Sequence, residues 1–155
     1  INMSFNALIV VLFTIFVTGL TIKLKPLFNI IMSGVLFAIG FGMIRFVNTV
    51  PFLLVSTFIW TLGEILEATN INVYISAHAP VSHRARFNSI FMFISGAGHA
   101  LAAQFGGFFI DYFSLREIWS TSFFIMVAAV IALIIFHNYK EGNFNRDSVK
   151  QAKKS

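Results

Sequence analysis

The sequence has no cysteine, which removes disulfides, thiolate metal sites and cysteine nucleophiles together. Charge is scarce as well. Only 11% of the 155 residues are Asp, Glu, Lys or Arg, against roughly 25% in an ordinary soluble domain. Prolines number 3, and Pro26, Pro51 and Pro80 all stand at breaks between apolar runs, where a missing amide donor costs least. What the chain does have is apolar bulk: 57% hydrophobic residues, with 20 Phe. A soluble fold of this size cannot hide so much apolar surface in one core, so a lipid bilayer is the expected solvent for most of it. The formal net charge of +5 could suit nucleic acid. The basic residues, however, sit in short clusters between apolar runs rather than over one face or groove, as topology signals do, so no nucleic-acid partner is expected. Residue 1 is Ile and the chain opens almost directly into an apolar run, with no charged leader and no small-residue cleavage site. The natural N-terminus is expected to lie upstream.

A spanning helix needs about 20 mostly apolar residues. Five segments qualify, at 4–22, 27–47, 50–76, 85–110 and 117–137, predicting an all-α membrane protein with five transmembrane helices. Residues 138–155 form a polar, basic tail, expected to be disordered at its end. Alternate connections share a side of the membrane. One side receives Lys23, Lys25, Arg84, Arg86 and five basic residues of the tail, and the other only Arg45 and Arg116. The positive-inside rule makes the richer side cytoplasmic, with the C-terminus inside a multi-pass cell membrane protein. Arg45, near the outer end of the second span, is expected to snorkel to the interface. Gly34, Ala38 and Gly42 on the second span, and Gly98, Ala102 and Gly106 on the fourth, recur every four residues. Such spacing lets helix backbones approach closely, and close packing is expected for both.

The third span is the anomaly. Its stretch TLGEILEATN places Glu64 and Glu67 three residues apart, with no charge in residues 50–63 before them and none after them until Arg84. At 100° per residue, Thr57, Trp60, Thr61, Glu64, Glu67 and Tyr74 share one broad arc. Glu64 falls near the midpoint, with Glu67 about 4.5 Å further towards the cytoplasm. A charge at mid-bilayer costs roughly 2.5–3.5 kcal/mol on insertion scales, so such groups face a protein interior or a wet cavity. Two carboxylates this close hold and release protons in coupled steps, because the charge on one disfavours ionisation of the other. The pair therefore reads as a proton-binding device or a site for a cationic solute. The plainer alternative is a glutamate that hydrogen-bonds a neighbouring helix and holds the bundle together. Spans three and four run antiparallel about a loop near residues 81–82, which sets His99 at the depth of Glu64, able to exchange protons with it or simply to bond across helices. Gln104 reads as glue between helices.

These residues resemble a known family. LGEIL in a polar-faced helix, AHAPVSHRARFNSI as a basic connection, and SGAGHALAAQFGGFFID in the following helix are similar to the C-terminal half of major facilitator superfamily transporters, nearest the bacterial multidrug and proton-antiporter branch. The resemblance covers the whole chain and implies helices 8 to 12 of a twelve-helix transporter, an incomplete six-helix half. It implies that Thr61, Glu64 and Glu67 line the central cavity, with Pro80, Arg84 and Arg86 capping a cytoplasmic gate. The segment Gly19 to Lys25 matches the Gly and basic residues of the family's loop motif but lacks its Asp. The expected partners are the bilayer, the missing N-terminal half, protons and a small-molecule substrate, with no cofactor and no metal. The expected activity is proton-coupled drug or metabolite efflux by alternating access.

Other readings have less behind them. The peptide transporters of the same superfamily also carry Gly-Glu on helix 10, which keeps proton-coupled peptide or nutrient uptake open. A channel or assembly subunit completed by a partner is a further alternative. An intramembrane enzyme is the weakest: His78 and His83 do not form an HExxH zinc site. Ser95 and His99 lie one turn apart with no evident orienting acid and no strained nucleophile turn.

Overall fold

The computed structural model describes residues 2–152, with side chains for 3–114 and 116–139. Its elements are α1 (Asn2–Thr21), α2 (Pro26–Ile44), α3 (Val50–His78), a short 3-10 turn (Val81–His83), α4 (Arg84–Tyr112) and α5 (Leu115–Ala152), and no strand occurs among the described residues. All five α-helices are long and apolar enough to cross a membrane.

The breaks follow local chemistry. Lys25 is extended (φ −62°, ψ 131°) ahead of Pro26, which opens α2, as expected of a residue clashing with a following pyrrolidine ring. Ala79 is extended (φ −86°, ψ 135°) before Pro80 and ends α3 in the same way. Beyond its span α5 runs on through Ala152 as 38 helical residues, about 57 Å of helix; the disorder expected at the end of the tail falls on residues 153–155, outside the described residues. Its membrane-length part is Arg116–Tyr139. The polar residues beyond contain no proline, so nothing in them stops a helix already nucleated by the span.

The packed centre is α2. On one side a Cβ added to Gly40 would fall 2.6 Å from the Trp60 Cβ and 3.0 Å from its backbone nitrogen, and one added to Gly63 would fall 2.9 Å from the Ser33 carbonyl. These glycines bring α2 and α3 to backbone contact. On the other side, Cβ atoms at Gly34 and Gly42 would meet Val130 and Phe123 of α5, so the spacing of small residues on the second span does mark a helix interface. The buried polar side chains of α2 and α3 are bonded, as a lipid-embedded bundle requires, while the Thr18 hydroxyl of α1 is buried with no partner among the described residues. Ser56 donates to the Gly40 carbonyl at 2.8 Å. Asn29, only 1% exposed, donates to Asn70 Oδ1 at 2.8 Å and to the Thr21 carbonyl at 3.1 Å. One pair of amides thus ties α1, α2 and α3 together.

The fourth span does not follow suit. No residue of α4 is buried, and a Cβ at Gly98 or Gly106 would meet nothing within 4 Å. The expected close packing of Gly98, Ala102 and Gly106 is corrected here. Small residues permit approach, but the described helices offer none to approach that face.

Candidate functional site

Glu64 stands at the midpoint of the 29-residue α3. The side of α3 opposite to the acids is sealed, with Ile65 and Leu66 at 3% and 6% exposure. Glu64 and Glu67 are exposed within the chain, on a face that the described helices leave uncovered. Two acids at i and i+3 on a helix share one face, so packing of the apolar side presents both on the other.

Glu64 is not left alone. The Asn6 side-chain amide on α1 donates to Glu64 Oε2 at 2.9 Å and to Thr61 Oγ1 at 2.8 Å. A primary amide has two N–H donors, and both are used. Thr61 in turn donates to the Thr57 carbonyl at 2.7 Å. Thr61 was expected to line a cavity; it is 0% exposed, sealed between α1 and α3, and touches the open face only through Asn6. Seven residues along α1 from Asn6, Phe13 meets Phe58 edge-on with ring centroids 5.3 Å apart.

Glu67 lies near enough to Glu64 and to His99 of α4 for both to act on it electrostatically. The sequence reading sets His99 level with Glu64, and in the structure His99 lies in the neighbourhood of Glu67, less than one turn further along α3. Thr61, Glu64, Glu67 and His99 are therefore gathered in one neighbourhood on two helices, α3 and α4, with Asn6 of α1 beside them. Among the described residues no three His, Asp or Glu side chains converge as ligands for a metal ion.

Pro80, Arg84 and Arg86 form a separate group at the end of α3, about 18 Å along the axis from Glu67, and all three are exposed. His83 N–H donates to the Pro80 carbonyl at 2.8 Å, closing the turn that starts α4. Arg84 and Arg86 then fall in the first turn of α4, which contains no acid. Their charges add to the positive end of that helix.

A helical array of this kind, with an acid pair at mid-span and basic turns at one end, can be set against known families. The family model of the Major Facilitator Superfamily matches residues 1–154. The chain belongs to that superfamily. No curated protein and no solved structure shows significant similarity to it. As a superfamily member it is a multi-pass membrane protein serving solute transport, and its five spans fit part of the superfamily's fold.

Three polar positions in this transporter chain escaped the sequence reading. Asn6 and Asn29 are amides inside apolar runs, a signal that was available, since a side-chain amide in lipid needs a partner. Asn70 is not among the residues of the polar arc of the third span, yet it is buried and bonded to Asn29. Arg45 also differs from expectation. It does not simply snorkel but donates to Ser120 Oγ on α5 and lies 3.6 Å from Glu117 Oε2. The physical reason is proximity: α2 ends where α5 begins, so a partner for the guanidinium is nearer than open interface. The basic residues of the tail, Lys140, Arg146, Lys150, Lys153 and Lys154, lie outside the described side chains.

Proposed function

We propose that this chain is the C-terminal part of a proton-coupled secondary transporter that exports a small drug-like or metabolic solute by alternating access. Glu64 is the leading proton or cation acceptor, with Glu67 and His99 sharing its charge. Thr61 positions it through Asn6. The observation that carries this reading is the hydrogen bond from Asn6 to Glu64 at the centre of a membrane-length helix. It ties an ionisable group to a second helix, so a change in its charge alters a contact between two moving parts. A carboxylate accepts the Asn6 amide as a charge-assisted bond, stronger than the same bond to a neutral acid. Protonation therefore loosens α1 from α3, and deprotonation restores the link.

In this proposal the uncovered face of α3 and α4 looks onto a wet cavity completed by the remainder of the transporter. The end carrying Lys23, Lys25, Arg84 and Arg86 is cytoplasmic, and the Pro80 turn with its two arginines works as the gate on that side.

The test is Glu64→Gln in the full-length transporter, reconstituted in vesicles with an imposed pH gradient. Glutamine keeps the shape and the hydrogen bond but cannot exchange a proton. Gradient-driven flux should fall about tenfold or more, equivalent to about 1.4 kcal/mol, with membrane insertion unchanged. Wild-type gradient-driven flux from the inserted variant would remove Glu64 from the mechanism.

A further inference from the structure

The first helix is fastened at its two ends by different chemistry. Near its start, Asn6 donates to Glu64 Oε2 at 2.9 Å and to Thr61 Oγ1 at 2.8 Å. At its end, the Thr21 carbonyl accepts from the Asn29 side-chain amide at 3.1 Å. That amide spends its second N–H on Asn70 Oδ1 at 2.8 Å, and Asn70 in turn donates to the Leu66 carbonyl at 2.9 Å. No group at this second fastening can ionise. The first contains a carboxylate. The ionisable groups beside it are Glu67 on the same helix and His99 of α4, next to Glu67, while α1 and α2 carry none.

Between the two fastenings α1 is loosely seated. Ile9, at 3% exposure, is its one buried residue among those described, and Phe13 adds an edge-on ring contact to Phe58. A Cβ at Gly19, the glycine of this helix, would meet nothing within 4 Å, whereas Gly40 and Gly63 bring α2 and α3 to backbone contact. We infer that α1 is a lever hinged at Asn29: its Thr21 end is fixed to α2 and α3, and its Asn6 end swings away from α3 when the Asn6 bonds are released. Asn29 is then a positioning residue, which sets the end of α1 that moves. The moving end is the one away from Lys23 and Lys25, which follow Thr21 in the chain. A change of about 15° in crossing angle lies within the ordinary scatter of helix packing, and over the roughly 22 Å from Asn6 to Thr21 it displaces Asn6 by about 6 Å. That a proton on Glu64 triggers the release rests on the transport reading above, whereas the hinge itself does not.

This chain has no cysteine, so paired spin labels can be attached at introduced cysteines along it, in the full-length transporter in nanodiscs, and read by double electron–electron resonance. Ala7→Cys with Val55→Cys reports on the Asn6 end, and Leu20→Cys with Val73→Cys on the Thr21 end; all four positions are exposed. Asn6→Ala should lengthen the first distance by about 6 Å and leave the second unchanged. Asn29→Ala should do the reverse, freeing the Thr21 end while the Asn6 end stays held. Either variant decides the matter if the other fails to insert. An amide that merely stabilised the bundle would loosen both ends together. Equal movement at the two ends, or none at the end whose bonds were removed, overturns the lever. Acidifying the labelled parent should reproduce the distances of Asn6→Ala. A parent that stays closed in acid while Asn6→Ala opens upholds the lever and removes the Glu64 proton as its trigger.

Discussion

The second and fourth spans carry the same pattern of small residues and meet opposite fates. In α2, Gly40 faces the backbone of Trp60, and Gly34 and Gly42 face α5. In α4, Gly98 and Gly106 face nothing. A buried amide pair and the Ser56 hydroxyl hold α2 in place, whereas α4 presents His99 and two arginines on an exposed helix. The contrast teaches that a four-residue repeat of small side chains states a capacity for contact, and the neighbour decides whether it is used. It also separates two regions within one chain: α2 is packed scaffold, and the open sides of α3 and α4 carry the residues of the proposed site.

The sharpest way to break this comparison is Gly40→Ala. The added methyl would lie 3.0 Å or less from both the Cβ and the backbone of Trp60, which cannot rotate away. A loss of about 1–3 kcal/mol is expected, as for an overpacked core, measured by reversible unfolding of the chain in bicelles. Asn29→Leu comes next. It leaves the Asn70 carbonyl unpaired and should cost roughly 0.6–1.7 kcal/mol in the same assay, the range seen for hydrogen bonds between membrane helices. The smallest effect belongs to α4, where Gly98→Ala in this chain should stay within about 0.5 kcal/mol of wild type. A large loss at Gly98 and none at Gly40 would invert the assignment of scaffold and open face. A loss at Gly98 only in the full-length transporter would instead show that the remaining helices cover this face.

The candidate site was legible in part. Glu64 and Glu67 announced themselves because a charge in a hydrocarbon run is too costly to be incidental. The partner that holds Glu64 was not legible. Asn6 lies 58 residues away in the chain, and whether its helix crosses α3 at that height is a matter of packing. Packing likewise brought Arg45 to Ser120 and Glu117 of α5 rather than to open interface.

By itself the sequence determined that this chain lives in a membrane, that five of its segments are long and apolar enough to cross it, where the breaks fall and which helix carries the acids. All of these follow from hydropathy, proline and charge summed over short windows, and such quantities are local. The tertiary structure alone decided which glycines touch a neighbour, which amides pair across helices and which face of α3 stays open. Those outcomes depend on the relative position of segments tens of residues apart, and in lipid, where apolar side chains gain little from leaving one another, close fit and hydrogen bonds settle that position.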